Sequence, residues 1–169
     1  MNLEEIHLRA LEPEDIEVLE KVENDSIYWN YSNQTEPFSV NILRHYIREQ
    51  KQDIFQVRQK RFTISNLSKE VIGFIDLFDF EPLHRRAGVG LFVLESFRNK
   101  GVGKKALILL HEYAKKQLNM NTLYANIAIE NNKSIMLFCS VGYSEIGLKK
   151  NWNFYGDTFN DETLYQKIL

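Results

Sequence analysis

The chain has 169 residues, enough for one domain (1–169) that buries roughly 70% of the surface its unfolded form would expose. With 44% hydrophobic residues, 26% charged residues and a net charge of −2, it has a globular composition and no global field that would draw it to nucleic acid or an anionic membrane. Cys139 stands alone, which excludes an internal disulfide, and the acidic start Met1–Glu5 lacks the apolar run of a signal peptide. The run Ala106–Leu110 is far too short to span a bilayer, so a cytoplasmic protein is expected.

In chain order, Ile6 to Leu11 alternate apolar and polar residues and predict a half-buried strand. Pro13 followed by Glu14 and Asp15 favours helix initiation, and Ile16, Leu19 and Val22 then recur at helical spacing. Asn24 to Phe38, rich in Asn, Ser and aromatics, reads as a loop. Ser39 can cap a second helix carrying Ile42, Leu43, Tyr46 and Ile47. Arg61–Ile64 and Val71–Phe78 flank the polar turn Asn66–Lys69 and predict a hairpin, with a third strand over Ala87–Leu94. A helix follows from Val102 to about Leu118, then a strand over Leu123–Ile129, then a short helix over Lys133–Ser140 stopped by Gly142. Glu145–Leu169 holds two strand-like runs around a Gly156-Asp157 turn. The order β-α-α-β-β-β-α-β-α-β-β defines a mixed α/β domain with no internal repeat or linker.

The informative segment is Phe97-Arg98-Asn99-Lys100-Gly101-Val102-Gly103-Lys104-Lys105, between a strand and a strongly amphipathic helix. Two glycines allow a tight turn and close approach of a ligand to the main chain. The first N–H groups of the helix lack internal partners and favour an anion. Arg98, Lys100, Lys104 and Lys105 add positive charge, so a diphosphate is the natural guest. A Walker loop is excluded because Lys105 stands where Ser or Thr is needed, and a dinucleotide fingerprint because no third glycine follows. A plain strand-to-helix turn and a phosphate site of another kind both remain open on this segment alone.

Arg98-x-x-Gly101-x-Gly103 resembles the pyrophosphate-binding motif of the GNAT superfamily of acetyltransferases. The resemblance continues through Glu130-Asn131-Asn132-Lys133-Ser134-Ile135, Phe138 and Gly142-Tyr143. His84-Arg85-Arg86-Ala87, and Trp152 through Gly156, Asp161 and Tyr165, are similar to members that acetylate polyamines or the N-termini of ribosomal proteins. It covers nearly the whole chain. It implies a mostly antiparallel central sheet flanked by helices, with fourth and fifth strands that splay apart around the acyl-pantetheine arm. It further implies acetyl-CoA as co-substrate without a metal. The main chain of Leu91, Phe92 and Val93 would pair with pantetheine; Arg98, Asn99, Lys100, Gly101, Val102, Gly103 and Lys104 would hold the diphosphate. Asn131 would lie near the pantetheine and Phe138 near the thioester. The acceptor would be a small-molecule amine or a peptide N-terminus, with no nucleic acid or membrane partner; a homo-oligomer stays open.

The chain departs from the family at two positions. The strand glutamate that serves many members as general base is Gly88 here, and the tyrosine that serves as general acid is Phe138. The catalytic residues are therefore not assigned, and Asp76, Asp79, Glu81 and His84 are candidates. A catalytically inactive acyl-CoA-binding module is the competing reading. Tyr28, Trp29 and Tyr31, flanked by Glu23, Asp25 and Glu36, either line an acceptor pocket with an acidic rim or pack the helices. His7, His45, His84 and His111 are too scattered for a zinc pattern. Cys139 beside Phe138 reads as core.

Overall fold

The structure is a computed structural model, which describes residues 2–32, 34–50 and 52–169. Seven strands form one sheet: β1 (His7–Ala10), β2 (Lys60–Ser65), β3 (Val71–Glu81), β4 (Arg86–Val93), β5 (Thr122–Ala128), β6 (Ser144–Tyr155) and β7 (Thr158–Ile168). Their spatial order is β1-β2-β3-β4-β5-β7-β6. Every neighbouring pair is antiparallel except β4 and β5, which are parallel. That single parallel pair requires a crossover, supplied by the longest helix.

The helices are α1 (Ile16–Glu23), α2 (Trp29–Ser32), α3 (Val40–Glu49), α4 (Ile54–Val57), α5 (Val102–Lys116) and α6 (Asn132–Cys139). In α5, Val102, Ala106, Leu107, Leu110 and Ala114 recur on one face and are buried. They pack with Phe138 of α6 on the odd-numbered side chains Ile75, Leu77, Ala87, Val89, Leu123, Ala125 and Ile127. The opposite sheet face carries the even-numbered side chains of β3 (Phe74 to Phe78), β4 and β5, and in β2 the odd-numbered ones, since Arg61 pairs with Asp76. There Leu19, Val22, Leu43 and Ile47 of α1 and α3 close over Phe74. The two-residue period of the strands thus separates a wholly apolar layer from one that also carries Asp76, Phe78, Tyr124 and Asn126.

The expected element order is present, with local differences. The first strand is shorter than Ile6–Leu11, and Ala10 at its end is exposed. The segment read as a loop, Asn24–Phe38, contains a 3-10 turn (Ser26–Tyr28) and α2, because the Asp25 carboxylate accepts from the Ile27 N–H and starts the turn. Asn24 fastens its ends: its amide donates to the Phe38 carbonyl at 2.9 Å and accepts from the Phe38 N–H at 2.8 Å. The short α4, capped by Asp53, was not expected. β3 runs past Phe78 to Glu81 through a bulge in which Asp79 has φ 46°. Ser39 caps α3 and Gly142 (φ 92°) ends α6 as read from the sequence. Gly156 and Asp157 both have positive φ, as a tight two-residue hairpin turn requires.

Candidate active site: the opening between two parallel strands

β4 and β5 pair only at Arg86–Thr122, Ala87–Leu123 and Gly88–Tyr124. Beyond Gly88 the strands separate, while β4 stays paired with β3 as far as Val93 and β5 with β7 as far as Ala128. The Leu94 N–H donates to the Ile72 carbonyl at 2.9 Å. The alternation of an antiparallel ladder then directs the main-chain groups of Phe92 and Gly90 into β3, and those of Val89, Leu91 and Val93 into the opening. Leu91 and the N–H of Val93, a residue whose carbonyl already accepts from Arg98, are thus placed where an inserted ligand could pair with them. Phe92, named with them from the resemblance, is not: its main chain serves the sheet and its ring meets Tyr28 edge-on at 4.8 Å.

The glycine turn lies at the mouth of this opening. Asn99 (φ 60°) and Gly101 (φ 81°) both occupy the left-handed region, and Gly101 is the N-cap of α5 with no side-chain cap bond. The first intrahelical bond is from the Lys105 N–H to the Gly101 carbonyl, so the N–H groups of Val102, Gly103 and Lys104 form the free positive end of a fifteen-residue helix. A Cβ on Gly103 would stand 2.9 Å from Leu137 Cδ2 and 3.3 Å from Leu91 Cδ2, so β4, α5 and α6 converge there. Lys100 and Lys104 are exposed; the Lys100 ammonium donates to the Ser96 carbonyl at 2.7 Å.

Arg98 is placed differently from the expectation that its charge simply faces a diphosphate. Its Nε donates to the Val93 carbonyl and its Nη2 to the Tyr28 hydroxyl, both at 2.9 Å. Its guanidinium also lies over the rings of Tyr28 and Phe92. Arg98 therefore braces the end of β4 against the turn before α2. Asn131 is the N-cap of α6, its side chain accepting from the Ser134 N–H at 3.2 Å.

Phe138 is buried and meets Tyr143 edge-on at 4.9 Å. The Tyr143 hydroxyl lies 3.2 Å from His111 Nε2. Burial, and secondarily Lys167, lowers His111 to about 4, so this imidazole is neutral at pH 7 and leaves the Tyr143 phenol, itself raised by burial, a neutral partner. We expect Phe138→Tyr to lower stability by about 1–3 kcal/mol, the cost of a buried hydroxyl without a partner. Turnover should stay within about tenfold of wild type, since a thiolate leaves readily without an acid. Thermal melts with steady-state rates check this; a larger rise in turnover would show that the missing hydroxyl limits the reaction. Cys139, read as core, is exposed.

On the even face, the position of the absent base is closed by an aromatic ring. A Cβ on Gly88 would meet the Phe78 ring at 2.3 Å. Arg61, unremarked in the sequence, organises this region. Its Nε and Nη2 grip both oxygens of Asp76 (2.6 and 2.9 Å), its Nη1 pairs with Glu23, and it lies over Tyr46. A hollow of about 150 Å³ borders this cluster, lined by Tyr46, Arg61, Asp76 and Phe78 among others. Glu23 is thus neutralised rather than free on a rim, and Asp25 is occupied as a turn cap. Trp29 donates to the Glu23 carbonyl and packs, whereas Tyr31 is exposed. Of the proton-transfer candidates, Asp76 is committed to Arg61, Glu81 lies 3.8 Å from Arg58, and His84 is exposed. Asp79 accepts from the Tyr124 hydroxyl at 3.1 Å, where β4 and β5 part.

The β6–β7 hairpin supplies the remaining wall. Lys149 pairs with Glu162, donates to Asn126 at 3.1 Å and lies 4.8 Å from the Trp152 ring. Tyr155 donates to Glu130, and burial together with Glu130 and the nearby Tyr31 raises its phenol. Glu130, Trp152 and Tyr155 fall within the segments that carry the family resemblance, but Lys149, Glu162 and Asn126 carried no sequence signal, and the register shifts of β6 against β7 decide which of them meet. A larger hollow of about 600 Å³, lined by Asp53, Phe55, Lys60 and Tyr113 among others, lies by α4 and the end of α5, away from the opening. Among the described residues no group of three or more His, Cys, Asp or Glu is placed to hold a metal, and no helix is long and apolar enough to cross a membrane.

A sheet opened between parallel strands, with a free helix N-terminus at its mouth, has the shape and polarity to suit an extended, diphosphate-bearing ligand. The comparisons give the chain's family. The acetyltransferase (GNAT) domain model matches residues 5–144, and the chain belongs to that family: it is an acetyl-CoA-dependent N-acetyltransferase. An uncharacterised prophage-derived N-acetyltransferase of Bacillus subtilis is 28% identical over 145 residues, 85% of this chain and 78% of the relative. The spermidine N(1)-acetyltransferase of Vibrio cholerae is 24% identical over 143 residues, 85% of this chain and 81% of the relative. The crystal structure of the Vibrio cholerae spermidine N-acetyltransferase with CoA and spermine has a TM-score of 0.88 at 22% identity. It covers 98% of this chain and 96% of that one, and shares the fold.

Proposed function

We propose that the chain acetylates a primary amine, with a polyamine as the favoured acceptor, and that the opening between β4 and β5 is where acetyl-CoA lies. The observation that carries this reading is the confinement of β4–β5 pairing to Arg86–Gly88, which leaves the Leu91 and Val93 main chain facing the gap. In this arrangement the N–H groups of Val102, Gly103 and Lys104, with Lys100 and the Lys104 side chain, hold the diphosphate. Leu91 and Val93 align the pantetheine. Fixing the thioester relative to the amine can supply roughly 7–11 kcal/mol of the barrier. The lone Cys139 supports a cytoplasmic setting.

The polyamine preference is supported by the spermidine-acetylating relative and by the excess of carboxylate in the Arg61 cluster, where Glu23 and Asp76 share one guanidinium. Spermidine and a peptide with a neutral N-terminal residue, each offered with acetyl-CoA while free thiol release is followed, test it. Spermidine should show the higher kcat/KM, by roughly tenfold, and its advantage should shrink as salt screens charges beyond about 10 Å at 0.1 M. Equal efficiency without salt dependence would reject the polyamine and favour a peptide acceptor.

A further inference from the structure

An alkylammonium with a pKa near 10.4 is neutral at pH 7 in only about one molecule in a thousand, so an amine acetyltransferase must shed a proton from its acceptor. Gly88, at the point where β4 and β5 part, has no side chain to take it. Its partner across the parallel pair is Tyr124, on the same even face. The Tyr124 ring meets Phe78 edge-on at 6.0 Å, and the Phe78 ring covers Gly88. The Tyr124 hydroxyl points to Asp79 Oδ2 at 3.1 Å.

Asp79 is aimed there by an irregularity of the backbone. Pairing of β3 with β4 breaks between Phe78 and Glu81, and Asp79 takes φ 46° within that bulge. A bulge re-aims a side chain, and a non-glycine residue held in the left-handed region marks a conformation the surrounding structure imposes. The other carboxylates of this face are engaged: Glu23 and Asp76 by Arg61, Glu162 by Lys149, Glu130 by Tyr155. Asp79 is exposed, and Tyr124 is its one hydrogen-bond partner among the described residues.

We propose that Tyr124 and Asp79 form the proton exit for the acceptor amine, replacing the side chain that Gly88 lacks. The proposal rests on the acetyltransferase reading above. Tyr124 Oη takes a proton from the ammonium as its own passes to the Asp79 carboxylate, which is open to solvent and releases it to water. The freed nitrogen lone pair forms the C–N bond to the thioester carbonyl, and the C–S electron pair leaves with sulfur. The nitrogen's second proton goes to the thiolate. One ammonium and one acetyl thioester thus give one amide, one thiol and one proton in water. The groups that face Tyr124 suit a hydroxyl that stays protonated between turnovers. Burial and then Asp79 push its phenol up to about 12, against the opposing charge of Arg86.

The test compares wild type, Tyr124→Phe, Asp79→Asn and the double variant, using spermidine and a second, less basic primary amine. Phe keeps the ring against Phe78, and Asn tolerates the left-handed backbone of residue 79, so both variants should fold. An unchanged thermal shift with acetyl-CoA verifies the fold and the cofactor site. At pH 7 each single variant should lose roughly 10²–10⁴-fold in kcat, with the double no worse than the weaker single. The deficit should shrink as pH rises toward the amine's own pKa and should be smaller for the less basic amine, because neutral acceptor then forms unaided; loss of packing alone would not respond this way. Variants within about threefold of wild type, losses that multiply, or a deficit constant with pH would each overturn the proposal while leaving the acetyltransferase reading intact. A wild type that acetylates no amine would overturn both.

Discussion

Gly101→Val should weaken acetyl-CoA binding by roughly tenfold to a hundredfold, the largest effect expected of any single substitution in the cofactor turn. Gly101 sits at φ 81°, where a side chain costs about 1–2 kcal/mol and a β-branched one more. Its Cβ would also stand 2.9 Å from Leu3 Cδ1, the end of an exposed side chain that can give way, so it is relief of the backbone strain that shifts the turn. That shift moves the Val102 and Gly103 N–H groups, and hydrogen bonds to a charged group are worth about 1.5–3 kcal/mol each, one to two decades in affinity. Gly101→Asn separates the two causes, because Asn tolerates the left-handed region but still carries a Cβ. Calorimetric titration of acetyl-CoA against both variants checks this. A Val variant that binds like wild type would remove the diphosphate from this turn.

Asp15→Ala should cost about 3–5 kcal/mol of folding stability, a large share of the 5–15 kcal/mol typical of a domain. Asp15 is buried between β1, α1 and β2. It accepts two bonds from Arg9 at 2.7 Å each, one from the Glu12 N–H at 3.0 Å and one from Thr63 at 3.1 Å. Removing it strands a largely buried guanidinium. For a chain of this size the melting temperature should fall by roughly 6–20 °C. Burial by itself raises the Asp15 carboxyl, but the bonds from Arg9, Glu12 and Thr63 outweigh it and hold the group below its ordinary range. A depressed carboxyl stabilises above its unfolded pKa near 3.9 and loses that contribution as pH falls through the folded value. The gap between wild type and variant should therefore be full at pH 7 and close below about pH 4. Denaturant melts across this range measure it; a gap that persists unchanged in acid would mean that the ion pair is not its source.

The glycine turn was legible because its information is local. Gly101 and Gly103 are two residues apart, follow a strand and start a helix, and each constraint acts within a few residues. The same holds for the Ser39 cap and the Gly156-Asp157 turn. The Arg61 cluster and the Tyr124–Asp79 pair were not legible, because they depend on register. Arg61 meets Asp76 through β2–β3 pairing, and Tyr124 meets Asp79 only once β5 is laid beside β4. Asp79 could be listed as a carboxylate after a strand, but not aimed, since the bulge that aims it leaves no pattern in hydrophobicity. The segment Asn24–Phe38 failed as a plain loop for a related reason. Much of its order comes from side chains that bond main-chain groups well apart in sequence: Asn24 to Phe38, fourteen positions on, and Trp29 and Gln34 back to the Glu23 carbonyl. The acidic rim read from Glu23 likewise ignored a partner, Arg61, thirty-eight residues away.

The central claim is that acetyl-CoA enters the gap between β4 and β5, and the most direct measurement is amide NMR of the uniformly labelled protein during an acetyl-CoA titration. The account predicts saturable shifts at the N–H groups of Leu91 and Val93 in β4 and of Val102, Gly103 and Lys104 at the start of α5. The amides of Gly90 and Phe92, bonded into β3, should gain no new partner. Saturation that leaves Leu91, Val93 and the α5 start unmoved, or that shifts the hollow beside α4 instead, would contradict it.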